Sequence, residues 1–410
     1  MLATLKQRDF ALLWFGGLIS MMGDWAMFAA LPFYAYEQTG SAFASGAVLT
    51  ALTLPGFLIG TVAGVFVDRW NRKRTMVVAN LLQVLVMLPL LLVRPGESLW
   101  LVYVVAFVLA SVSQVVVPAE NALLPKLVGS DRLMVANSLN AFNDNLARIA
   151  GPAIGGLVIA FGGLGGVALL NAATFLLAAG LISLIRAPTT ERETADTDAT
   201  QGTLISVWRE WSQGLRLVAG ERHVTVLFVI LGAAMLADSI LSALIAPFVG
   251  GVLGAPASLF GLLLTLRGVG GLIGGVFLGS VAMRVRPENV LVLSLIAVGI
   301  VTLVFATVPL APVSMACAVA LGVPAVGWIA SQQTLLQKSV ADEFLGRIFG
   351  AFAATTAFML FAGSLAAGAL GDVAGIVPLL VVSGIIYCAA ALLALALLGR
   401  PRKGEREHQA

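Results

Sequence analysis

The feature that most constrains this chain is a series of twelve apolar runs, at about 10–36, 44–66, 75–95, 98–120, 136–161, 165–186, 223–250, 257–281, 288–309, 312–336, 345–370 and 375–399. A hydrocarbon core about 30 Å thick takes about 20 helical residues to cross, and each run supplies roughly that length. No water inside a bilayer is available to the backbone, so such runs must satisfy their own N–H and C=O groups as helices. Hydrophobic residues make up 59% of the chain and charged ones 11%, far from the roughly 25% charged residues of a soluble domain. An all-α, polytopic membrane protein is expected. The first run starts within a few residues of Met1 and contains Asp24, with no small-residue cleavage site before a polar domain, so it is expected to be a retained helix.

The positive charges give the orientation. Of the 24 lysines and arginines, all but Arg94, Arg148 and Arg267 fall in the segments on one side of the expected helices. Cytoplasmic loops retain such charge, so both termini are expected on the cytoplasmic side of a plasma membrane. The net charge of +3 reflects this loop bias, and no nucleic-acid partner is expected. Cys317 and Cys388 both lie in apolar runs and give no disulfide framework.

One long polar stretch divides the runs six and six. The expected organisation is an N-terminal six-helix bundle over 1–186, a cytoplasmic linker over 187–222 with an amphipathic segment from Leu204 to Val218, a second bundle over 223–399, and a cytoplasmic tail over 400–410. A shift of 215 positions brings Pro32 onto Pro247, Gly46 onto Gly261, Gly60 onto Gly275, Gly64 onto Gly279 and Arg69 onto Arg284, while Asp24 and Asp238 match within one residue. This ordered series argues for a duplicated unit and two pseudo-symmetric bundles. Transporter folds are built in this way, with substrate held near the midplane between repeats.

Between the second and third runs the chain reads Gly64-Val-Phe-Val-Asp68-Arg69-Trp-Asn71-Arg72-Lys73-Arg74. This resembles the signature loop of the major facilitator superfamily, Gly-x-x-x-Asp-Arg-x-Gly-Arg-Lys/Arg, with Asn71 where glycine is usual. Asparagine also tolerates a left-handed turn. The resemblance covers nearly the whole chain and implies twelve transmembrane helices in two bundles, with Asp68 as a cytoplasmic gate latch and Arg347 as its partner. Gly151, Pro152, Gly155 and Gly156 resemble the C-terminal part of the motif of drug/proton antiporters in that superfamily, with Ala147 where an earlier glycine is usual. Stretches from Pro118 and from Gln333, the latter containing Gly346-Arg347-Ile348, resemble the macrolide-efflux and siderophore-exporter branch.

A charge inside a membrane costs about 2.5–3.5 kcal/mol on insertion scales and is functional by default. Five qualify: Asp24, Asp144, Arg148, Asp238 and Arg267. Asp144 and Arg148 stand four apart on one helix face, with Asn140 and Asn137, and can pair locally. Asp24 and Asp238 then compete for Arg267, leaving at least one carboxylate over. Desolvation of an unpaired acid favours its neutral form, the property of a group that takes up and releases a proton. Asp24 is the preferred proton carrier, ahead of Asp238, with Asp144 a third candidate. Trp25, Phe28, Gln114, Asn121, Asn140, Gln332, Gln333, Phe352 and Phe358 are candidates to line an aromatic, largely apolar cavity suited to a bulky hydrophobic ligand. Glu37 and Glu120, near the ends of their runs, are expected at the membrane interface.

The two histidines, His223 and His408, form no catalytic or metal-ligand cluster, and no phosphate-cradling Gly-x-x-x-x-Gly-Lys-Ser/Thr sequence occurs. Neither an enzyme nor a metal site, cofactor or ATP-driven pump is expected. The expectation is a monomeric secondary transporter whose partners are the bilayer, protons and a small-molecule substrate, exporting hydrophobic or amphiphilic compounds. A dedicated siderophore or lysolipid exporter is the alternative. A transport-inactive membrane sensor is a third possibility, for which the short C-terminal tail offers little surface.

Overall fold

The computed structural model describes residues 2–94, 96, 98–186, 222–281, 285–339 and 345–398, with side chains throughout except at 2–3, 60–69, 130, 280–281 and 346–347. The expected linker over 187–221, its amphipathic segment and the tail lie outside these residues. After a short turn at Leu2–Leu5, the chain runs through α1 (Arg8–Thr39), α2 (Ala42–Arg69), α3 (Arg72–Met87, continued as a 3-10 turn over Leu88–Leu92) and α4 (Leu99–Val128). The stretch Leu133–Ser183 supplies α5 and α6. There follow α7 (Arg222–Pro247, with a π-turn over Phe248–Val252), α8 (Ala257–Val281), α9 (Pro287–Thr307), α10 (Ala311–Lys338), α11 (Leu345–Ala374) and α12 (Ile376–Leu398). No strand occurs among the described residues.

Among the described residues eleven stretches are long and apolar enough to cross a membrane. One of them, Leu133–Ser183, has 51 residues and is broken at Gly163, where φ is 61° and ψ −167°. That backbone region is essentially restricted to glycine. The limbs 133–162 (α5) and 164–183 (α6) are each long enough to cross, which reconciles eleven stretches with twelve expected runs.

Local signals end the helices where the loops begin. Gly40, in the left-handed region at φ 66°, closes α1 by donating its N–H to the Tyr36 carbonyl. Asn71 does not use the left-handed turn that asparagine tolerates. Its backbone is extended (φ −70°, ψ 109°), and its side chain caps α3 by accepting the Arg74 N–H at 3.0 Å. α4 also runs eight residues past the apolar run expected to end near 120, because neither Pro118 nor Pro125 terminates it.

Packing divides the molecule into two compact units. The first contains α1 to α6 together with Ile245–Thr265; the second takes the rest of α7, ending at Leu244, and Leu266 to the end of α12. In the first unit, Phe10, Leu13 and Trp14 of α1 pack with Met76, Leu123, Leu124, Leu139 and Ile182. A reciprocal pair of hydrogen bonds ties α1 to α5: Trp14 Nε1 donates to the Leu139 carbonyl (2.9 Å), and Asn143 Nδ2 donates to the Trp14 carbonyl (3.0 Å). Large apolar side chains such as Phe161, Val276 and Val373 are 81–89% exposed, as a surface solvated by lipid requires.

Glycine lets α1 and α5 approach at backbone distance. A Cβ at Gly151 would stand 2.8 Å from the Met22 carbonyl oxygen, one at Gly155 would overlap Ala26, and one at Gly156 would stand 2.9 Å from the Gly261 Cα. Gly180, by contrast, faces open space. Gly155→Val is therefore expected to destabilise the protein by at least the about 1–3 kcal/mol typical of overpacking, while Gly180→Ala leaves it unchanged or slightly more stable. Thermal midpoints of the two variants in detergent check this, and equal midpoints would contradict the packing.

Candidate functional site

A cavity of about 500 Å³ lies inside the first unit, walled by α1, α3, α4, α5 and α6. On α1, Gly23 packs against Asn171 and Thr174 of α6, and Ala26 packs on Gly155, which leaves Asp24 and Trp25 lining the cavity. On α5, Asn140, Asp144 and Arg148 share one face by their spacing of four, and all three line the same space. The sequence candidates Asp24, Trp25, Asn121, Asn140, Asp144 and Arg148 are thus brought together. Phe28 stands behind Trp25, edge to face at 5.2 Å. Gln114 donates to the Ala110 carbonyl of its own helix and lies outside the lining.

Glu120 corrects the expectation of an interfacial position. The continuation of α4 to Val128 carries it away from the helix end, and its Oε1 accepts the Asn140 Nδ2 at 3.0 Å in the cavity wall. Gly17 of α1 lies opposite: a Cβ there would stand at ordinary contact distance, 4.0 Å from Glu120 Oε1 and 3.6 Å from Asn143 Nδ2. An apolar-run count ended the helix at this residue, so no sequence signal set it apart from a boundary acid.

The charges balance unevenly. Asp24, Glu120 and Asp144 face one guanidinium in the lining, that of Arg148, whose carbon lies 5.1 Å from the Trp25 ring centroid in a cation–π contact. Asp144, one turn before Arg148, interacts with it electrostatically. Among the described residues no hydrogen-bond donor or cation is bonded to the Asp24 carboxylate.

In the second unit the competition for Arg267 is resolved. Its Nη2 donates to Asp238 Oδ1 at 2.7 Å, and the Tyr387 hydroxyl donates to the same oxygen at 3.1 Å. Trp328 stacks edge-on against Tyr387 at 5.9 Å. Tyr387 was not a sequence candidate, because a tyrosine in an apolar run carries no mark of its partner. Phe352 is buried edge-on against Phe228 at 5.8 Å; Gln332 is buried, while Gln333 and Phe358 are exposed.

At the expected gate, Lys73 donates to the Ile185 carbonyl at 2.7 Å, at the end of α6, where a cation also suits the helix dipole. Arg72 opens α3 beside the Asn71 cap. Gly64, Asp68 and Arg69 fall at the end of α2 and Arg347 at the start of α11. Their side chains, and with them the expected Asp68–Arg347 pairing, lie outside the described residues. Gly151, Pro152, Gly155 and Gly156 form the face of α5 that meets α1 and the Ala257–Gly261 turn of α8.

Comparison with known proteins accords with this architecture. A family described as transmembrane secretion effectors matches residues 1–409. The macrolide efflux protein A of Streptococcus pyogenes is 24% identical over 395 residues, covering 93% of this chain and 94% of its own length. The enterobactin exporter EntS of Salmonella paratyphi A is 26% identical over 398 residues, covering 94% and 91%. Among solved structures, a point mutant of the nucleoside transporter NupG superposes with a TM-score of 0.76 at 14% identity, covering 95% of this chain and 99% of that one. At that identity the likeness is one of fold.

The ion pair of the second unit generates a stability prediction. Removing one partner of a fully buried pair costs about 3–5 kcal/mol; the Arg267 and Asp238 side chains keep 25% and 22% exposure, so Arg267→Met is expected to cost less than that range. Tyr387→Phe removes one hydrogen bond and is expected to cost about 1 kcal/mol. Thermal unfolding of the purified variants checks the order, and a Tyr387→Phe loss exceeding that of Arg267→Met would contradict it.

Proposed function

Because the chain belongs to the transmembrane secretion effector family of major facilitator transporters, and is thus a multi-pass secondary transporter and not an enzyme, we propose that it is a proton-coupled exporter of hydrophobic or amphiphilic small molecules. The observation that carries this reading is the Asp24 carboxylate, which lines the first unit's cavity without a bonded partner among the described residues. Arg267 is committed to Asp238 and Tyr387. A desolvated carboxylate without a counter-ion is poised to exchange a proton for a ligand.

In this reading a proton and a substrate compete for the wall that carries Asp24, Glu120 and Asp144. Substrate displaces the proton on one side of the membrane and is displaced by it on the other, so the proton gradient drives export by alternating access. Met21, Trp25, Met76, Val116 and Val117 supply apolar and aromatic area for a hydrophobic body. The names of the relatives support the direction and the class, since one is a macrolide efflux protein and another a siderophore exporter. The protein would act as a monomer in a bacterial cytoplasmic membrane with both termini inside. Asp68 and Arg347 would serve as its cytoplasmic latch, following the signature-loop resemblance.

The test is efflux from a drug-sensitive bacterial host loaded with a fluorescent hydrophobic cation or a macrolide. Energised efflux that a protonophore abolishes, and that falls to the vector background in Asp24→Asn at equal membrane expression, is the expected outcome. Well-expressed protein that exports neither compound would turn the reading toward a dedicated natural substrate such as a siderophore. Efflux that survives the protonophore and the substitution alike would remove proton coupling through Asp24.

A further inference from the structure

The export reading leaves the number of protons open, and the charges of the first unit's cavity wall restrict it. Around Glu120 on α4, the titratable or charged groups of the lining are Asp24 from α1 and Asp144 and Arg148 from α5, while α3 and α6 contribute none. Three carboxylates therefore share one guanidinium, and whichever of them Arg148 serves, two are left without a counter-charge in the lining. Spacing and electrostatics give it Asp144, one turn away on the same helix. Asp24 and Glu120 remain. The hydrogen-bond partner of Glu120 is a neutral amide, Asn140 at 3.0 Å, and Asp144 acts on it with a charge of the same sign.

The two acids are too far apart to share a proton. Glu120 Oε1 lies 4.0 Å from where a Cβ on Gly17 would stand, and Gly17 precedes Asp24 on α1 by seven residues, about 10 Å along the axis at 1.5 Å per residue. Paired carboxylates that hold one proton between them stand about 3 Å apart. Asp24 and Glu120 must each be neutralised separately. A charge enclosed without a partner in a low-dielectric interior is carried in its neutral form, so an empty cavity that closes during the cycle holds one proton on each acid.

We propose that each substrate molecule is exchanged for two protons, one on Asp24 and one on Glu120, with Glu120 as the residue that sets the second. The proposal rests on this cavity being the transport site. As substrate enters, each carboxyl group releases its proton to the compartment the substrate came from. As substrate leaves on the far side, each carboxylate takes up one proton there, so two protons cross against every substrate molecule. Asp24, at the middle of α1 (Arg8–Thr39), stays beside the substrate and is required for export. Glu120→Gln leaves a neutral side chain that can still accept from Asn140, and the cycle then runs on one proton.

The experiment uses the full chain in proteoliposomes, with the membrane voltage clamped at zero and ethidium, a permanent cation, as the probe. For each imposed pH difference, the ethidium ratio that stops net flux is measured. At that balance the ethidium ratio equals the proton ratio raised to the number of protons exchanged. The exponent is expected to be about two in the wild type, about one in Glu120→Gln and about two again in Glu120→Asp. A merely structural role for Glu120 would slow the flux and leave the exponent where it was. A wild-type exponent of about one, or an exponent unchanged in folded Glu120→Gln, would overturn the proposal. If Glu120→Gln does not fold, Glu120→Ala and the wild-type exponent decide. If ethidium is not carried, the export reading fails for this probe, and infrared spectra of the chain in nanodiscs decide the proton count. On passing from alkaline to acid pH, the wild type should gain two buried carboxylic C=O bands, one missing in Asp24→Asn and the other in Glu120→Gln. Absence of the Glu120 band would overturn the proposal.

Discussion

The expense of a charge in hydrocarbon organises this molecule. Water cannot reach most of the chain, so each ionised group inside the membrane must be bonded to a partner, face an internal cavity, or be neutral for part of the working cycle. The second unit takes the first course, with Arg267, Asp238 and Tyr387 bonded around one carboxylate oxygen. The first unit takes the second, with three carboxylates and one guanidinium gathered on a single cavity wall. One half of the chain thus holds a closed electrostatic network and the other an open one. Transport chemistry is proposed for the open one.

The cavity depends on helices that meet at backbone distance. Gly151, Gly155 and Gly156 bring α5 onto α1 and onto the start of α8. Side-chain bulk at these places would either fill the cavity or push its walls apart. The same glycines that resembled an antiporter motif in the sequence therefore have a direct packing reason, independent of the resemblance.

Much of this was legible from residues alone, for a physical reason. Twelve apolar runs are forced by bilayer thickness, and the break at Gly163 fell between two of them as expected. Intramembrane charges are rare enough to be noticed one by one, so Asp24, Asp144 and Arg148 were found before the cavity that contains them. What failed were the readings that depend on where a helix stops or on which distant group it meets. Glu120 was placed at an interface because apolar character ends near it, although α4 continues through Pro125 to Val128. Tyr387 and the pairing of Arg267 with Asp238 over Asp24 are set by tertiary contacts between segments far apart in the chain.

The central claim is that the uncompensated acid of the first unit couples substrate to protons, and counterflow tests it most directly. Proteoliposomes holding a pH-sensitive dye and loaded with an exported compound would be diluted into compound-free buffer with no imposed proton gradient. Substrate leaving through an antiporter must draw protons inward, so the lumen should acidify beyond the change in protein-free vesicles, and the excess should vanish in Asp24→Asn. Substrate exit without excess acidification, or acidification retained in that variant, would contradict the account.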